Sequence, residues 1–258
     1  MTAATLPSLR DAPIETSTLQ GAREYQQDAY DWTRGTYASA PAIFAAVADG
    51  MGSGHKSEVI AKDAAAIATR IAPAYGPLDL APAIDATREV LYERYPDRAS
   101  ADNTTLVLAS IHLGIVRVAW VGDSRAYVLD ASGRLRALTR DHNLAHRGRP
   151  NVVTVTLLGM AGHDHDAPFD DCKEHTPECA QYGVTDVHPA ERVMLCTDGV
   201  CGVLGDGLIA EILRGAPNAN RAAKRLTGQA VRAATARGEQ ADNATALVID
   251  LADFRTGS

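Results

Sequence analysis

The stretch Ala42-Ile-Phe-Ala-Ala-Val-Ala48, followed at once by Asp49-Gly50, constrains the fold more than any other part of the chain. A dense apolar run that stops abruptly at an Asp-Gly turn is typical of a strand buried on both faces. The next two segments, His55 to Ala72 and Leu80 to Tyr95, carry apolar side chains at helical spacing. We therefore expect a buried strand followed by a pair of helices.

Later segments again show strands in runs and helices in pairs. The residues from Thr104 to Leu129 are rich in β-branched and aromatic side chains and are broken at Gly114 and Gly122, which predicts an antiparallel meander. Further patterns predict a strand pair over 184–188 and 192–196, helices over 206–214 and 218–237, and a closing strand over 246–251. This order favours an α+β fold with antiparallel sheets over a doubly wound parallel sheet.

The length and charge of the chain exclude several classes of protein. Its 258 residues, 46% of them hydrophobic, fit one large domain with its own core, and the formal net charge is −7. No stripe of clustered Lys and Arg is available to contact a nucleic-acid backbone. The longest apolar run is far shorter than the roughly 20 residues that cross a bilayer. We therefore expect no nucleic-acid partner and no membrane partner.

The start of the chain and its cysteines indicate a location. Residues 1–12 are small, polar and aperiodic, so we expect a mobile leader followed by a single domain over residues 13–258. The leader lacks the basic and apolar regions of a secretory signal. The cysteines are too sparse for a disulfide framework in a chain of this length. These features predict a soluble, cytoplasmic protein.

Four predicted strands begin or end at an aspartate-containing turn, with the carboxylates of Asp49, Asp123, Asp198 and Asp242. Any one of them alone reads most simply as a structural turn, because an Asp side chain caps nearby backbone N–H groups. If two sheets deliver all four to a common edge, however, they repel one another unless a cation lies among them. Ligand sets made only of oxygen select hard ions such as Mg²⁺ or Mn²⁺. The strand ends therefore predict a carboxylate metal centre.

The glycine-rich turn after Asp49 resembles a phosphate-binding loop only superficially. A P-loop requires Gly directly before its Lys, but His55 precedes Lys56 here, and no complete GxGxxG pattern is present. This spacing argues against a nucleotide kinase and against a dinucleotide-binding protein. The glycines instead allow a tight turn in which Gly50 can direct its carbonyl at an ion bound by Asp49.

Six short motifs occur in a fixed order along the chain. They are Arg23-x-x-x-Gln27-Asp28, Val47-Ala-Asp49-Gly50-Met51-Gly52, Val121-Gly122-Asp123-Ser124-Arg125-Ala126, Leu138-Thr-Arg-Asp-His142, Leu195-Cys-Thr-Asp198-Gly199 and Asp242-Asn243-x-Thr245. Together they resemble the metal-dependent protein phosphatase family (type 2C), specifically its compact bacterial members, over about residues 14–252. The resemblance implies an α-β-β-α sandwich, in which two antiparallel sheets lie face to face and each is covered by a helix pair. It also implies that residues 13–258 form the catalytic domain, with the metal centre at one edge.

The resemblance assigns the ligands of two divalent ions, Mg²⁺ or Mn²⁺. Asp49 matches the carboxylate that bridges the two ions. The carbonyl of Gly50 and the carboxylates of Asp198 and Asp242 match the remaining ligands. Two such ions share a water, lower its pKa towards neutrality and hold it for direct attack on phosphorus.

Three further residues receive roles from the same motifs. Asp28 resembles the carboxylate that holds metal-bound water, and Asp123 matches the acid that, with Asp198, helps to bind a third and weaker ion. Arg23 matches the residue that binds the substrate phosphate. A planar guanidinium with paired donors suits two phosphate oxygens and the charge that develops on them.

The function that follows is hydrolysis of phosphoserine and phosphothreonine in proteins by a metal-activated water. The expected partner is a phosphorylated protein, and we expect a monomer. Two alternatives stay open at this point. One is the same chemistry on a small phosphorylated metabolite, and the other is a catalytically silent, phosphate-sensing module.

Two positions depart from the family pattern. Met51 stands where some members have a His that is proposed to protonate the leaving oxygen. His55 is one candidate for that acid, although it could equally have only a structural position near the start of a helix. The expected proton donor is a metal-bound water. Asn103 replaces a Gly that usually precedes the Thr-Thr strand, from which we predict only a different turn.

The segment 160–182 takes the place of the family's flap beside the active site. Its His and Cys residues include ligands soft enough for zinc, but their spacing matches no standard zinc finger, and a solvated loop explains the segment equally well. We expect a variable flap or lid that sets substrate choice. The candidate zinc ligands are His163, His165, Cys172, His175 and Cys179.

Overall fold

The computed structural model describes residues 9–52, 55–96, 102–144, 149–159, 181–186 and 192–251. In chain order the elements are β1 (Ile14–Leu19), β2 (Asp28–Tyr37), β3 (Ala40–Met51), α1 (His55–Tyr75), α2 (Ala81–Arg94), β4 (Asn103–Thr104), β5 (Leu106–His112), β6 (Ile115–Val121), β7 (Arg125–Leu129), β8 (Leu135–Ala137), β9 (Asn143–Leu144), β10 (Arg149–Val153), β11 (Gln181–Asp186), β12 (Arg192–Cys196), α3 (Asp198–Cys201), α4 (Asp206–Gly215), α5 (Ala219–Ala236) and β13 (Ala244–Asp250).

Two antiparallel sheets form the centre of the molecule. The first sheet has the strand order β1-β13-β12-β7-β8, and the second has the order β11-β6-β5-β3-β2, with β4 paired to the end of β3. A further short pair joins β9 and β10. The predicted strand pair over 184–188 and 192–196 is wrong, because β11 joins β6 in the second sheet while β12 lies between β13 and β7 in the first. Local alternation identifies a strand but does not say which sheet it joins.

The strand β3 shows how the layers are packed. Successive side chains of a strand point to opposite faces, and here both faces are covered. Ile43, Ala45 and Val47 pack between the sheets, against residues such as Val193 and Leu247 of the first sheet. The alternate residues, including Phe44 and Ala46, pack against the helices on the outside of the second sheet. The prediction of a strand buried on both faces is confirmed.

Each sheet is covered by helices on its outer face. Ala64, Ile67 and Ala68 of α1 pack, together with α2, on the second sheet. Leu213 of α4 and Leu226 of α5 pack on the first sheet. The order of the layers is therefore helices, sheet, sheet, helices, and the predicted α+β fold, an α-β-β-α sandwich of two antiparallel sheets, is confirmed.

The packed chain begins before Pro13. Leu9 packs against the core between the sheets, and Ala12 is buried there. Arg34 Nη2 donates a hydrogen bond of 2.6 Å to the carbonyl of Ala12. Residues 9–12 of the predicted leader therefore contact the domain, and residues 1–8 lie outside the described residues. Within the described part of the chain, no helix has the length and apolarity to span a membrane.

Candidate metal centre

Strand pairing brings the predicted carboxylates to one end of the sandwich. In the first sheet, Cys196 at the end of β12 pairs with Ala246 of β13 and with Arg125 at the start of β7. Asp198 follows the end of β12, Asp123 lies just before β7, and Asp242 lies just before β13. The residues collected at this end of the first sheet are Asp123, Asp198 and Asp242.

The second sheet supplies the remaining two carboxylates. Asp28 opens β2 and is the direct cross-strand partner of Asp49 near the end of β3. Both side chains interact electrostatically with Asp198 of the first sheet. The structure thus brings together all five aspartates that the sequence assigned to the metal centre.

Burial dominates the electrostatics of this cluster. The pKa of Asp28 is raised to about 7, first by burial and then by the nearby charges of Asp198 and Asp242, against hydrogen bonds from Thr245 and Thr197 that lower it. Burial likewise raises the pKa of Asp123 to about 7, with Asp198 as the next contribution. Each of these carboxyls is therefore costly to ionise inside the protein.

Asp49 and Asp198 form the centre of the cluster. The pKa of Asp49 lies well above its ordinary value, first because the group is buried and then because Asp28, Asp198 and Asp123 surround it. The pKa of Asp198 is also raised by burial, while a hydrogen bond with Asp49 lowers it. The two carboxyls can therefore share a proton in place of a cation.

The chemistry of this donor set fits a hard divalent cation. All the side-chain atoms of the five aspartates that could bind a metal ion are carboxylate oxygens. Positive charge placed among them would offset the repulsion that helps to raise their pKa values. Across the described residues, no group of three or more His, Cys, Asp or Glu side chains meets the geometry of a finished metal site. Carboxylates that repel one another are expected to stand further apart than they do around an ion.

Gly50 is confined by backbone on two sides. Its N–H donates to the carbonyl of Gln27 at 3.1 Å. A Cβ atom at this position would lie 2.6 Å from the carbonyl oxygen of Ser57 and 2.7 Å from that of Gln27. Only glycine allows the end of β3 to pass this close to α1 and to the start of β2. The role of its carbonyl as a ligand stays a prediction.

Arg23 lies beside the predicted ligand Asp242. Its Nη2 atom is 2.6 Å from Asp242 Oδ2, and its side chain is 44% exposed. Asn243 holds the Arg23 loop in place, since its amide donates to the carbonyls of Gln20 at 2.7 Å and Tyr25 at 3.0 Å. The predicted phosphate-binding residue is thus fixed at the mouth of the carboxylate cluster.

Sequence reasoning gave no role to the threonines that orient Asp28. Thr197 Oγ1 donates to Asp28 Oδ2 at 2.9 Å and accepts from the Thr245 N–H at 3.1 Å. This bridge joins the first sheet to the second at the metal-centre end. The signal was available, because Thr197 precedes Asp198 directly and Thr245 belongs to a motif of the resemblance.

Gln27 joins the start of β2 to two other segments, a role that the sequence did not predict. Its N–H donates to Asn243 Oδ1 at 2.8 Å, and its side chain donates to the carbonyl of Gly52 at 3.1 Å and to the hydroxyl of Ser57. These bonds tie the start of β2 to the glycine-rich turn and to β13. Gln27 therefore holds the Asp28 and Asp49 strand ends in register.

His142 positions the turn that carries Asp123. Its Nδ1 atom accepts a hydrogen bond of 3.1 Å from the Gly122 N–H, so Nδ1 carries no proton in this arrangement. Its ring stacks on Trp120 with centroids 6.3 Å apart. Trp120 in turn donates to the carbonyl of Arg140 at 2.8 Å. The motif that ends at His142 thus holds the turn that carries Asp123 in place.

His55, the candidate acid in place of Met51, and Asn103 have defined contacts. His55 is exposed at the start of α1, with Nδ1 2.8 Å from Glu58 Oε2 and its ring 6.4 Å from that of Tyr25. Its role as a proton donor stays a prediction. Asn103 does more than change a turn, since its Oδ1 atom accepts from the Leu158 N–H at 3.0 Å. It thereby ties the chain that leads towards the predicted flap to the edge of β3.

The predicted flap lies almost wholly outside the described residues. Residues 181 and 182, the last two of the predicted segment, belong to β11 and pair with Trp120 and Ala119 of β6. The predicted segment 160–182 therefore overlaps the start of β11 by two residues. The candidate zinc ligands all lie outside the described residues; they are His163, His165, Cys172, His175 and Cys179.

The layered fold and the acidic edge together define an α-β-β-α sandwich with a cluster of five aspartates at one end. The sequence model of the family described as Protein phosphatase 2C matches residues 20–214. The chain therefore belongs to the protein phosphatase 2C family, and the predicted resemblance is confirmed.

Curated relatives carry corresponding names. A putative protein phosphatase of Mycoplasma genitalium is 27% identical over 154 residues, which cover 59% of this chain and 57% of that protein. The serine/threonine protein phosphatase PstP of Mycobacterium tuberculosis is 27% identical over 166 residues, which cover 60% of this chain and 28% of that protein. The match thus spans about half of the Mycoplasma relative and less of the mycobacterial one.

Solved structures share the fold. The Ser-Thr phosphatase MsPP from Mycobacterium smegmatis, in complex with cacodylate, has a TM-score of 0.69 at 24% identity, covering 96% of this chain and all (100%) of that one. The catalytic domain of PstP in complex with two manganese ions has a TM-score of 0.67 at 23% identity, covering 94% and 99%. PppA of Pseudomonas aeruginosa has a TM-score of 0.70 at 23% identity, covering 93% and 97%. These likenesses agree with the layers described above.

Proposed function

We propose that this protein is a Mg²⁺- or Mn²⁺-dependent phosphatase that hydrolyses phosphoserine and phosphothreonine in other proteins. The observation that carries the proposal is the cluster of five aspartates at one edge of the sandwich, with Arg23 anchored beside it. Membership of the protein phosphatase 2C family and the names of the relatives support it. We further propose that the protein is a cytoplasmic monomer that binds no nucleic acid.

The residues that would hold two divalent ions are Asp49, Asp198 and Asp242, together with the carbonyl of Gly50. When bound, the ions lower the pKa of water and neutralise charge on the phosphoryl group. Asp28 and Asp123 lie within the same electrostatic cluster. Asp28 would accept hydrogen bonds from water at the site, and Asp123, together with Asp198, would bind a third, weaker ion.

The chain's own residues then bind and orient the substrate. Asp242 holds one side of the Arg23 guanidinium, which leaves its other N–H donors free to bind two phosphoryl oxygens. Thr197 and Thr245 hold the Asp28 carboxylate by hydrogen bonds, so that it can accept a hydrogen bond from water at the site. The Met51 side chain has no proton to give, and the proposed donor to the leaving oxygen is water rather than the exposed His55, which pairs with Glu58. No nucleophilic side chain is needed.

The function is tested by hydrolysis of p-nitrophenyl phosphate with Mn²⁺. We expect Asp49→Asn and Asp198→Asn each to lower kcat at least about a hundredfold, since charge stabilisation by a metal is worth several kcal/mol. Asp79→Asn is the matched control, because Asp79 is exposed and its Oδ1 atom caps the Ala81 N–H, which Asn can also do.

Hydrolysis that survives in both site variants would contradict the metal assignment. The substrate class is tested separately, by comparing kcat/KM on phosphoserine peptides with kcat/KM on a panel of phosphorylated metabolites. A strong preference for one metabolite would replace the proposed protein substrate. Absence of metal-dependent hydrolysis on every substrate would indicate a silent phosphate-sensing module.

A further inference from the structure

One face of β2 continues from the metal centre along the side of the sandwich. Because side chains alternate along a strand, Asp28, Tyr30, Trp32 and Arg34 share a face. Asp31, on the opposite face, accepts a hydrogen bond from Thr69 of α1, which fixes that face against the helices. The face that begins at Asp28 therefore points away from α1.

Aromatic side chains are exposed on this face, although aromatic residues make up only 5% of the chain. Tyr30 is 43% exposed and Trp32 is 37% exposed, while the preceding Asp28 is buried. Tyr25, in the loop that carries Arg23, is also among the large apolar side chains exposed in the described residues. We call Tyr30, Trp32 and Arg34 the β2 strip.

Arg34 anchors one side of the β2 strip. Its guanidinium lies 4.8 Å from the centre of the Trp32 ring and donates to the carbonyl of Ala12 at 2.6 Å. The bond to Ala12 holds the guanidinium, and the guanidinium restricts the indole by stacking on it. A side chain that is already restricted loses less entropy when a ligand packs on it.

The backbone of β2 has one edge without a strand partner among the described residues. Its only strand partner among the described residues is β3. The strand β13, which is the neighbour of the edge strand β1 in the first sheet, contacts β2, so β1 and β2 lie at the same side of the sandwich. An extended polypeptide can therefore lie along this edge. The edge starts at Asp28, so a ligand bound there would be continuous with the site where the phosphoryl group binds.

We propose, on the basis of the proposed function, that the β2 strip binds the substrate polypeptide next to its phosphorylated residue. Tyr30 lies about 7 Å and Trp32 about 14 Å along the strand from Asp28, at roughly 3.4 Å per residue. An extended peptide with its phosphate at the metal centre thus places the side chains two and four residues away over these rings. The strip selects substrates with a large apolar side chain at those positions, which a small metabolite lacks.

The test compares two phosphoserine peptides and p-nitrophenyl phosphate. The peptides differ only in the residues two and four positions from phosphoserine, which are Leu in one and Ser in the other. We expect Trp32→Ser and Tyr30→Ser to raise KM for the Leu peptide roughly tenfold, as loss of an aromatic anchor typically does at an interface. Activity on p-nitrophenyl phosphate is expected to change less than about twofold, because that substrate does not reach the strip.

Two controls separate docking from folding and from general loss of activity. Trp32→Phe keeps an aromatic face and should retain most of the preference for the Leu peptide. Tyr75→Ser removes an aromatic side chain that is 48% exposed at the end of α1, and it should change neither substrate. A fall in p-nitrophenyl phosphate hydrolysis that equals the fall for the peptide would overturn the proposal.

Other results also count against the β2 strip. Equal KM values of the wild-type protein for the Leu and Ser peptides would overturn it while leaving the phosphatase function intact. A concentration-dependent dimer that Trp32→Ser abolishes would show that a second copy of the chain occupies the strip instead. Failure to hydrolyse any phosphopeptide, with metabolites hydrolysed well, would contradict the proposed function itself.

Discussion

Replacing Asp28 by Asn should stabilise the metal-free protein at pH 8. Asp28 is buried, and its pKa is raised from 3.8 to about 7, so at pH 8 the folded chain carries a charge that burial and its neighbours disfavour. That change in pKa corresponds to about 4 kcal/mol, which is an upper limit because neighbouring carboxyls share the repulsion. Asn keeps an oxygen that accepts the hydrogen bond from Thr197.

The sign of the pH dependence follows from the same pKa. Between about pH 4 and pH 7 the folded state keeps a proton on Asp28 that the unfolded chain has released. Raising the pH through this range therefore lowers the free energy of unfolding of the metal-free protein. Asp28→Asn removes that proton site, so the variant should lose less stability over the range.

The assay is urea denaturation in EDTA at pH 5 and pH 8, followed by circular dichroism. We expect Asp28→Asn to exceed the wild type at pH 8 by up to about 4 kcal/mol and by much less at pH 5. Added Mn²⁺ should reverse the order at pH 8, because a ligand that binds the folded state stabilises the protein with the intact carboxylate more. An equal gain at both pH values, or no gain at pH 8, would refute the assigned cause.

Two further substitutions test the packing behind the site. Arg192 is fully buried, and its Nε atom lies 2.6 Å from Asp250 Oδ1. Arg192→Leu should lower the free energy of unfolding by about 3–5 kcal/mol, because the Asp250 charge stays buried without its partner. The exposed control Arg221→Leu should change the free energy of unfolding little. Gly50→Ala should lower the stability by about 1–3 kcal/mol and reduce phosphatase activity, since its Cβ would press on the Ser57 and Gln27 carbonyls. Denaturation curves with parallel kinetic assays measure both, and full stability and activity in the Gly50→Ala variant would contradict the close packing.

Much of the fold was readable because its signals are local. The run from Ala42 to Ala48 predicted a strand covered on both faces, and the structure has it between the opposite sheet and the helices. The helices over 206–214 and 218–237 agree with α4 and α5, the latter capped by Asn218, whose side chain accepts from the Arg221 N–H at 2.9 Å. Hydrophobic periodicity and helix-capping residues depend only on neighbours in the chain, so helices and strands can be predicted from them without knowledge of the fold.

The same pattern could not show which strands pair. The strands around Val184 and Val193 follow one another in the chain, yet they belong to different sheets. It also gave no role to Thr197, which joins Asp28 of one sheet to Thr245 of the other. A threonine beside an aspartate is common, and its partner becomes visible only when distant strands are stacked.

The sequence by itself determined most of the long helices and strands, although not β2, together with the layer order through its resemblance and the residue types of the site. Aspartates at strand ends and the order of motifs are properties of the chain. Only the tertiary structure decided that Asp28 pairs across the sheet with Asp49, that burial raises the pKa of both, and that Arg23 is held by Asp242. It also decided that Tyr30 and Trp32 are exposed on the face that begins at Asp28. The reason is that burial and charge repulsion depend on groups far apart in sequence, whereas strand and helix patterns depend on groups a few residues apart.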